Sequence, residues 1–425
     1  MKKDIIIAGG GAAGAIAAWL AAEQDLDVAV IDAKERGSYH PCSGVYPLHS
    51  FKSFPPLPDA AFERDMVTMR VMSPESDAVI DAREFDTTLG KVILRSTFDK
   101  FMLDAAEKKG ATILDQTRIS KAEITADHVS LHVKDSNDAE SVITGDVLFL
   151  ATGTSGFRLH EQLGIETPPV VETVIGEFST SEDHIENVLT SGAYHYYMNK
   201  KTTSKIGPFW ITCRKDSFNA GIIDYHVSKE RFIDATKRDH RLKDLFVGTN
   251  ELVYPGQDSS ITKTLIPCAP IKSPYGNRLL VLGDAAGLAH AFYYEGVWEA
   301  RESARHAVDL VARLRAENRS FIAENLAEYK KSLARQLVNK FLRSGRKNSW
   351  LFWEAQSDET IWNYFCDTVR KNKEFRKLLV NCFETDYATT DIDIDFKAGE
   401  MIFQTIPTLK KVLYAPYFLK AGTIK

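Results

Sequence analysis

Three glycines near the start of the chain, Gly9, Gly11 and Gly14, have the spacing of a phosphate-binding turn. The first allows a tight turn, the second lets the backbone approach a pyrophosphate, and the third permits close packing of a helix on a sheet. Asp32 follows the next apolar segment, and its carboxylate would accept hydrogen bonds from a ribose. The pattern predicts a dinucleotide site, and the alternative is a glycine-rich turn in an unrelated α/β protein.

The segments around these residues have the hydrophobic patterns needed to position them. Residues 5–8 are a continuous apolar run typical of a buried parallel strand, and residues 28–31 are a second such run. Residues 12–23, between them, are an alanine-rich helical pattern. This order puts the glycines at the turn from strand to helix and Asp32 at the end of the second strand, as a dinucleotide fingerprint requires.

A second glycine loop, LGDAAGLAHAFYYEGVWEA, lies far along the chain at 282–300. Its Gly283, Asp284 and Gly287 follow an apolar run, which is typical of another nucleotide-binding turn. Glu295 has two interpretations: a buried acid with a raised pKa that protonates a substrate, or a glutamate favoured by the dipole at a helix N-terminus. Tyr293 and Tyr294 are either packing residues or acids.

The five cysteines are far apart and include no CxxC pair. None lies with histidine at metal-ligand spacing, so we expect no metal site and no disulfide framework, as in a reducing cytoplasmic setting. Cys42 has no second cysteine near it in sequence, which excludes dithiol chemistry. Its thiol is either a group with a shifted pKa in an active site or a small buried hydrophobe.

The composition of this 425-residue chain limits the classes of partner that it can bind. The net charge is −5, without the basic excess that nucleic acid binding requires. No apolar run is long enough to span a bilayer, so we expect that the chain does not cross a membrane. Residues 401–425 contain four lysines (Lys410, Lys411, Lys420 and Lys425) and no acids. They are either an ordinary packing element, interrupted by Pro407 and Pro416, or a peripheral contact with an anionic membrane surface.

The pattern along the chain predicts an α/β fold in three parts. Residues 1–158 and 260–318 form a Rossmann-like nucleotide-binding domain, and residues 159–259, with short alternating segments, form an inserted antiparallel-sheet substrate domain. Residues 319–425 form a helical C-terminal region. One apolar helix face is predicted there, formed by Ile322, Leu326, Tyr329, Leu333, Leu337 and Phe341.

Three further segments identify a resemblance to a flavoprotein superfamily. RSTFDKFMLDAA (95–106), ATG (151–153) and GDAAG (283–287) occur in the order found in FAD proteins of the p-hydroxybenzoate hydroxylase type. The resemblance implies that one FAD bridges both glycine loops, with the helix after GDAAG directing its positive end at the isoalloxazine. It also implies that Arg95 neutralises the FAD pyrophosphate, the alternative being a solvated arginine at a helix start.

Within that superfamily the chain resembles the geranylgeranyl reductases, which reduce isoprenoid double bonds. HPCSGVY (40–46) matches their proline-cysteine loop against the flavin, and GPFWITCRKDSFNAGI (207–222) resembles their Tyr-x-Trp-x-Phe-Pro-Lys segment. The third match is the stretch from 265 to 304. Departures occur in the second and third segments: Pro208 and Cys213 replace the family's tyrosine and proline, and the residues 290–294 replace Asn-Pro-Leu-Thr-Gly.

The resemblance implies contacts to FAD from a defined set of residues. Ile119 is included by position only, as a backbone contact to adenine. The set is Gly9, Gly11, Ala13, Gly14, Asp32, Ala33, Cys42, Ser43, Val45, Arg95, Ile119, Gly153, Gly283, Asp284, Gly287, Gly296 and Val297.

The activity implied is hydride transfer from reduced FAD to an alkene of a prenyl lipid. Cys42, Glu295 and Tyr294 are the candidate catalytic residues, and Trp210, Phe292 and Tyr293 line the expected substrate pocket. No separate nicotinamide domain is evident, so the electron donor is either NAD(P)H or reduced ferredoxin. Two alternatives share the fold: an FAD-dependent monooxygenase or halogenase, and a flavoprotein that passes electrons to a quinone.

Overall fold

The computed structural model describes residues 2–51, 54–190, 192–355, 358–385 and 394–424. These residues form two compact units, each assembled from three segments. Unit 1 contains residues 1–38, 96–170 and 266–342, and unit 2 contains residues 39–95, 171–265 and 343–425. Unit 2 therefore combines the expected sheet domain with residues 39–95 and with most of the expected C-terminal region. No helix in the described ranges is long and apolar enough to cross a membrane.

The strands, in chain order, are β1 Lys2–Ala8, β2 Val28–Ile31, β3 Val45–Pro47, β4 Arg64–Met66, β5 Thr68–Met72, β6 Asp77–Asp81, β7 Gly90–Val92, β8 Thr112–Leu114, β9 Arg118–Ile124, β10 Val129–Lys134, β11 Glu140–Leu150, β12 Val170–Ser179, β13 Ala193–Tyr197, β14 Phe209–Cys213, β15 Ser217–Asp224, β16 Asn250–Glu251, β17 Ile261–Pro267, β18 Tyr275–Gly276 and β19 Leu279–Val281.

The α-helices are α1 Ala12–Glu23, α2 Arg95–Lys108, α3 Phe157–Gln162, α4 Glu182–Asn187, α5 Lys229–Arg238, α6 Val297–Ala316, α7 Ala323–Leu333, α8 Arg343–Ser349, α9 Thr360–Lys371, α10 Lys373–Glu384, α11 Ile394–Thr405 and α12 Thr408–Thr423. Two π-helical stretches, Ala334–Leu342 and Trp350–Glu354, follow α7 and α8.

Unit 1 is built on a parallel sheet with the order β8-β2-β1-β11-β19. β1 lies in the middle, and the direction in which strands are added reverses beside it. The carboxyl ends of β1 and β11 therefore flank the switch point at which such sheets bind nucleotides. α1 packs against α6, and most of the buried residues of α1 are alanine or glycine, which lets other elements approach closely.

Unit 2 contains a mostly antiparallel sheet with the order β16-β12-β15-β14-β13-β5-β6. The pairing of β13 with β5 is parallel, and β17 also pairs with β12. β5 and β6 come from residues 68–81, so this sheet extends beyond the part of the sequence with the alternating pattern. A second, three-stranded sheet joins β3, β7 and β4. The predicted α/β fold, with an antiparallel sheet and C-terminal helices, is confirmed.

The predicted apolar helix face after residue 319 is confirmed from Leu326 onward. Leu326, Tyr329, Leu333, Leu337 and Phe341 are buried, whereas Ile322 is exposed and caps α7. From Tyr329 the buried residues recur every four positions, which exceeds the 3.6 residues of an α-helical turn. The change to a wider π-helical turn at Ala334 offsets the resulting drift around the axis.

A substitution at Gly14 would test how closely α1 packs against the turn that precedes it. A Cβ at Gly14 would lie 1.8 Å from the carbonyl oxygen of Gly9 and 3.2 Å from a methyl group of Ile7. We expect Gly14→Ala to lower the free energy of unfolding by about 3 kcal/mol or more, because the clash is with backbone. Thermal or urea unfolding measures the loss. Gly422→Ala, where a Cβ meets nothing within 4 Å, is the control, and equal stability of both variants would contradict the packing described.

Candidate active site

The turn between β1 and α1 has a backbone that only glycine accommodates. Gly9 has a φ of +103°, and a Cβ there would lie 2.5 Å from the carbonyl oxygen of Ala151. Gly11 is the residue before α1, so no side chain accepts a hydrogen bond from the first amides of the helix. The first turn of α1 also contains no acidic residue. The amides and the positive dipole end of α1 are therefore available to an anionic group such as a pyrophosphate.

Asp32 is fixed by backbone amides of two loops. Its Oδ2 accepts from the Gly10 N–H at 2.5 Å, and its Oδ1 accepts from the Lys34 N–H at 2.8 Å. These two hydrogen bonds orient the side chain. Each carboxylate oxygen has a second acceptor site, so Asp32 can still accept hydrogen bonds from the hydroxyl groups of a ribose. Ala33, beside it, is exposed.

The second glycine loop is a short turn, Gly283–Ala286, directly after β19. The Gly283 N–H donates to Ser303 Oγ at 3.0 Å, and Gly287 ends the turn with a φ of +76°. A Cβ at Gly283 would lie 2.8 Å from the Cβ of Ala13. The two glycine loops therefore meet within unit 1, where Ala13 of the first contacts Gly283 of the second.

The two glycine loops, 9–14 and 283–287, together form what we call the cradle. Other predicted cofactor contacts of unit 1 lie on the elements described next. Gly153 opens a turn, Gly153–Gly156, that contacts the Gly283 turn. Gly296 caps α6, which begins at Val297, and a Cβ at Gly296 would lie 3.0 Å from Asp284 Oδ1. Ile119 lies on β9 opposite Val133, away from the parallel strands.

The cradle fits a dinucleotide cofactor. Side chains are absent where a backbone or a second loop approaches, α1 presents an uncapped N-terminus, and Asp32 has acceptor capacity for a ribose. When bound, FAD would be held at the pyrophosphate by the turn that Gly9 shapes and Gly11 opens to it, with Gly14 packing the helix closely behind, and by Asp32 at the ribose.

The aromatic segment of the second loop is folded around His290. This buried ring stacks on Tyr293, with centroids 4.9 Å apart, and packs on Phe341 at 4.3 Å. The Tyr293 N–H donates to His290 Nδ1 at 3.2 Å, and the His290 N–H donates to the Glu295 carbonyl at 2.8 Å. Burial lowers the pKa of His290 to about 4, so the imidazole is neutral.

Tyr294 has a left-handed backbone with a φ of +56°, and its N–H donates to the His290 carbonyl at 2.7 Å. Such a conformation is uncommon for a bulky residue and is found where the surrounding structure imposes it. Tyr294 and Glu295 are half-buried, whereas Phe292 is buried. Tyr293 thus packs on His290, and the three predicted residues Tyr293, Tyr294 and Glu295 share one tight loop.

The fully buried acid of this region is Glu299, which the sequence analysis did not single out. It lies in the first turn of α6 with no exposed surface, and neither carboxylate oxygen has a hydrogen-bond partner among the described residues. Burial, followed by the negative charges of Glu295 and Asp284, raises the pKa of Glu299 well above its usual value. The neutral form of Glu299 is therefore favoured more strongly than that of an exposed glutamate.

In unit 2 the predicted cofactor loop around Cys42 is held by its own backbone. Gly44 has a φ of +76°, and its carbonyl accepts from the Ile93 N–H at 2.9 Å. A Cβ at Gly44 would lie 2.6 Å from the Ile93 carbonyl oxygen. The half-buried Cys42 thiol accepts from the Gly44 N–H at 3.4 Å, and Ser43 Oγ accepts from the Val45 N–H at 3.5 Å. Arg95, also half-buried, begins α2 two residues after Ile93.

A buried ion pair supports this loop from the antiparallel sheet. Arg214 and Glu177, both almost without exposed surface, are joined by a contact of 2.6 Å. Tyr39, three residues before Cys42, donates to Glu177 at 3.0 Å and stacks on Tyr254, with centroids 5.5 Å apart. Burial, with the charge of Glu177, raises the pKa of Tyr39 well above its usual value, so the phenol is a permanent donor.

Trp210, predicted to line the substrate pocket, lies within the same network. Its indole N–H donates to Asn219 Oδ1 at 2.9 Å, and the Asn219 amide donates to Glu177 at 2.8 Å. A Cβ at Gly221 would lie 2.1 Å from the indole ring. The glycine therefore makes the space in which Trp210 lies against β15.

Sequence reasoning missed Glu299, Tyr39 and the Glu177–Arg214 pair. Glu299 had one available signal, since it is an acid among Val297, Trp298 and Ala300 on an apolar helix start. The ion pair joins residues 37 positions apart, and only the register of β12, β15 and β14 brings them together. No local pattern marks such a pair.

Comparison with known proteins gives matches over most of the chain. Residues 2–290 match the family described as FAD binding domain. Digeranylgeranylglycerophospholipid reductase 2 of Methanosphaera stadtmanae is 26% identical over 368 residues, which cover 84% of this chain and 90% of that protein. The probable electron transfer flavoprotein-quinone oxidoreductase YdiS of Escherichia coli is 24% identical over 384 residues, covering 81% and 84%.

A solved structure shares the fold along almost the whole chain. It is a geranylgeranyl bacteriochlorophyll reductase-like protein from Thermoplasma acidophilum, with a TM-score of 0.76 and 16% identity, covering 97% of this chain and 99% of that one. The resemblance stated from the sequence motifs is confirmed by these matches. Because the matched family covers more than half of the residues, this chain belongs to the FAD binding domain family of FAD-dependent oxidoreductases.

Proposed function

We propose that this protein reduces carbon–carbon double bonds in an isoprenoid chain of the geranylgeranyl type. The observation that carries the proposal is the built loop around Cys42, because it is the one of the three matching segments for which no departure from the geranylgeranyl reductases was found. Gly44 fixes the loop against Ile93, and Tyr39 fastens it to the Glu177–Arg214 pair. The digeranylgeranylglycerophospholipid reductases among the relatives support the same substrate class.

The chemistry divides between the cofactor and the chain. Bound FAD, when reduced, supplies a hydride. The chain then has to hold the alkene and deliver a proton to the other carbon, and Cys42, Glu295 and Tyr294 are the residues proposed for that proton. Trp210 in unit 2, and Phe292 and Tyr293 in unit 1, stay predictions for substrate contact. The electron donor, NAD(P)H or reduced ferredoxin, is likewise a proposal.

Glu299 bears on this scheme because it lies at the N-terminal end of α6. The resemblance implies that the positive end of this helix serves the isoalloxazine, and an ionised glutamate in the first turn would oppose that charge. Burial raises the pKa of Glu299 and so favours its neutral form, which would leave the dipole of α6 uncancelled. We propose that Glu299 fills the space under the helix start as an uncharged group.

A second candidate function is electron transfer to a quinone. The relative YdiS, a probable electron transfer flavoprotein-quinone oxidoreductase, favours it, because that protein matches this chain over a length similar to the reductase match. The same flavin site serves both functions, and the difference lies in whether the organic acceptor is an alkene or a quinone. A monooxygenase or halogenase would differ from both by consuming oxygen.

An anaerobic assay distinguishes these functions. The FAD-loaded protein, reduced with dithionite so that no natural donor is needed, is mixed with a geranylgeranyl lipid, and the lipid is analysed by mass spectrometry. We expect a gain of two hydrogens for each bond reduced, in step with reoxidation of the flavin. An unchanged lipid with rapid reoxidation by a quinone would establish the second candidate, and oxygen incorporation in air would establish a monooxygenase.

The role of Cys42 is tested by removal of its thiol. We expect Cys42→Ala to slow lipid reduction by about a hundredfold, as loss of a proton-donating group does, with FAD content and melting temperature close to those of the parent. Cys268→Ser, at another half-buried cysteine, is the matched control and should keep the full rate. An unchanged rate for Cys42→Ala would show that the thiol does not donate the proton and serves only as a packing group.

The protonation state of Glu299 gives a pH-dependent prediction. The unfolded carboxyl ionises near 4.5 and the folded one at higher pH, so between these values the folded state binds the extra proton and stability falls as pH rises. Glu299→Gln lacks this loss, and its advantage in free energy of unfolding should grow by up to about 1.4 kcal/mol per pH unit above pH 4.5.

Unfolding of both proteins at several pH values measures this difference. Glu324→Gln, at an exposed glutamate in the first turn of α7, is the matched control and should show no such growth. An advantage of Glu299→Gln that is independent of pH would mean that Glu299 is ionised in the folded protein.

A further inference from the structure

The outer face of α12 is an apolar surface open to solvent. Leu409 is 92% exposed, and Val412, Leu413 and Leu419 are 77%, 67% and 74% exposed. Leu409, Val412, Leu413 and the exposed Pro416 have the i, i+3, i+4, i+7 spacing that places them on one side of a helix. We call this set, with Leu419, the α12 face. Four aliphatic side chains so exposed on one helix mark a surface that binds something apolar.

The opposite side of α12 fastens the helix to unit 2. Tyr414 packs edge-on against Tyr364, with centroids 5.6 Å apart, and Phe418 packs against Phe403 at 5.2 Å. Ala421 is buried. The helix is therefore apolar on both sides, one packed on unit 2 and one presented outward. Pro416 does not end it, contrary to the sequence-based expectation, because its exposed position leaves the carbonyl four residues earlier accessible to water.

The charged residues of α12 itself are all positive. Lys410 is exposed on the helix, Lys420 is exposed near the Trp350 ring at 4.9 Å, and no acidic residue occurs between 401 and 425. Lys425 lies outside the described residues. This local excess is opposite in sign to the net charge of −5. An apolar stripe with a basic border is complementary to a surface that is apolar inside and negatively charged outside.

We propose that the α12 face docks on the surface of an anionic lipid bilayer. The helix has 16 residues and is about 24 Å long, so it would lie along the interface with its leucines at the acyl boundary and its lysines among phosphate groups. A second copy of the same face is less suitable, since it would bring lysines of both helices together without an acid from either. The inference does not depend on the reaction proposed above.

Co-sedimentation with vesicles tests the docking. The FAD-loaded protein is mixed with vesicles of phosphatidylcholine and phosphatidylglycerol in equal parts, or of phosphatidylcholine alone. We expect binding to the anionic vesicles, at least about tenfold weaker for Leu409→Ser/Leu413→Ser because two exposed leucines no longer enter the lipid. Lys410→Gln should weaken it about fivefold, the effect of one lysine charge near an anionic surface.

The control variant is Val247→Ser, which changes a valine that is 67% exposed elsewhere in unit 2 and should bind as the parent does. Melting temperature and FAD content of each variant show that folding is intact. Absence of binding to anionic vesicles, or equal binding of parent and Leu409→Ser/Leu413→Ser, would overturn the proposal. So would a dimer in solution that the double variant dissociates, because the α12 face would then be covered by a second copy.

Discussion

The carbonyl oxygen of Gly9 occupies the place that a side chain at residue 14 would need. This contact sets how closely α1 approaches the carboxyl end of β1, and Ala13, one residue earlier, sets how closely the Gly283 turn approaches α1. The cradle for the cofactor thus depends on close approach of backbone to backbone at Gly14 and of backbone to the Ala13 methyl group at Gly283. Its dimensions follow from absent side chains, which explains why the glycines of both loops are needed together.

A different constraint organises unit 2. Glu177 and Arg214 are buried with each other, Tyr39 and Asn219 donate further hydrogen bonds to Glu177, and Arg214 donates one to Tyr254. Removing one partner of such a pair leaves an uncompensated charge in the interior, which typically costs about 3–5 kcal/mol. Hydrogen bonds through Asn219 and Tyr39 connect this pair both to Trp210 and to the segment that precedes Cys42. The residues of this unit that the sequence predicted for substrate and cofactor contact are thus supported by one hydrogen-bond network.

Local patterns were sufficient for the nucleotide-binding part of the fold. The limits of α1 and β2 agree with the predicted segments because alanine-rich and β-branched runs are bounded there by glycine and by polar residues. The extent of the antiparallel sheet was not predictable, since β5 joins it through a parallel pairing with β13, more than a hundred residues away. Glu299 was missed for a related reason: its apolar neighbours hint at burial, but its complete burial depends on how α6 packs.

The interleaving of the two units has a consequence for how the chain is made. The chain passes five times from one unit to the other, so neither is a continuous stretch. The sheet of unit 1 lacks β19, and α1 lacks its partner α6, until residues 279–316 have been synthesised. During translation, the alanine-rich surface of α1 that packs against α6 therefore stays uncovered until most of the chain has been synthesised. Long-range contacts of this kind slow folding and leave apolar surface exposed until the later segments arrive.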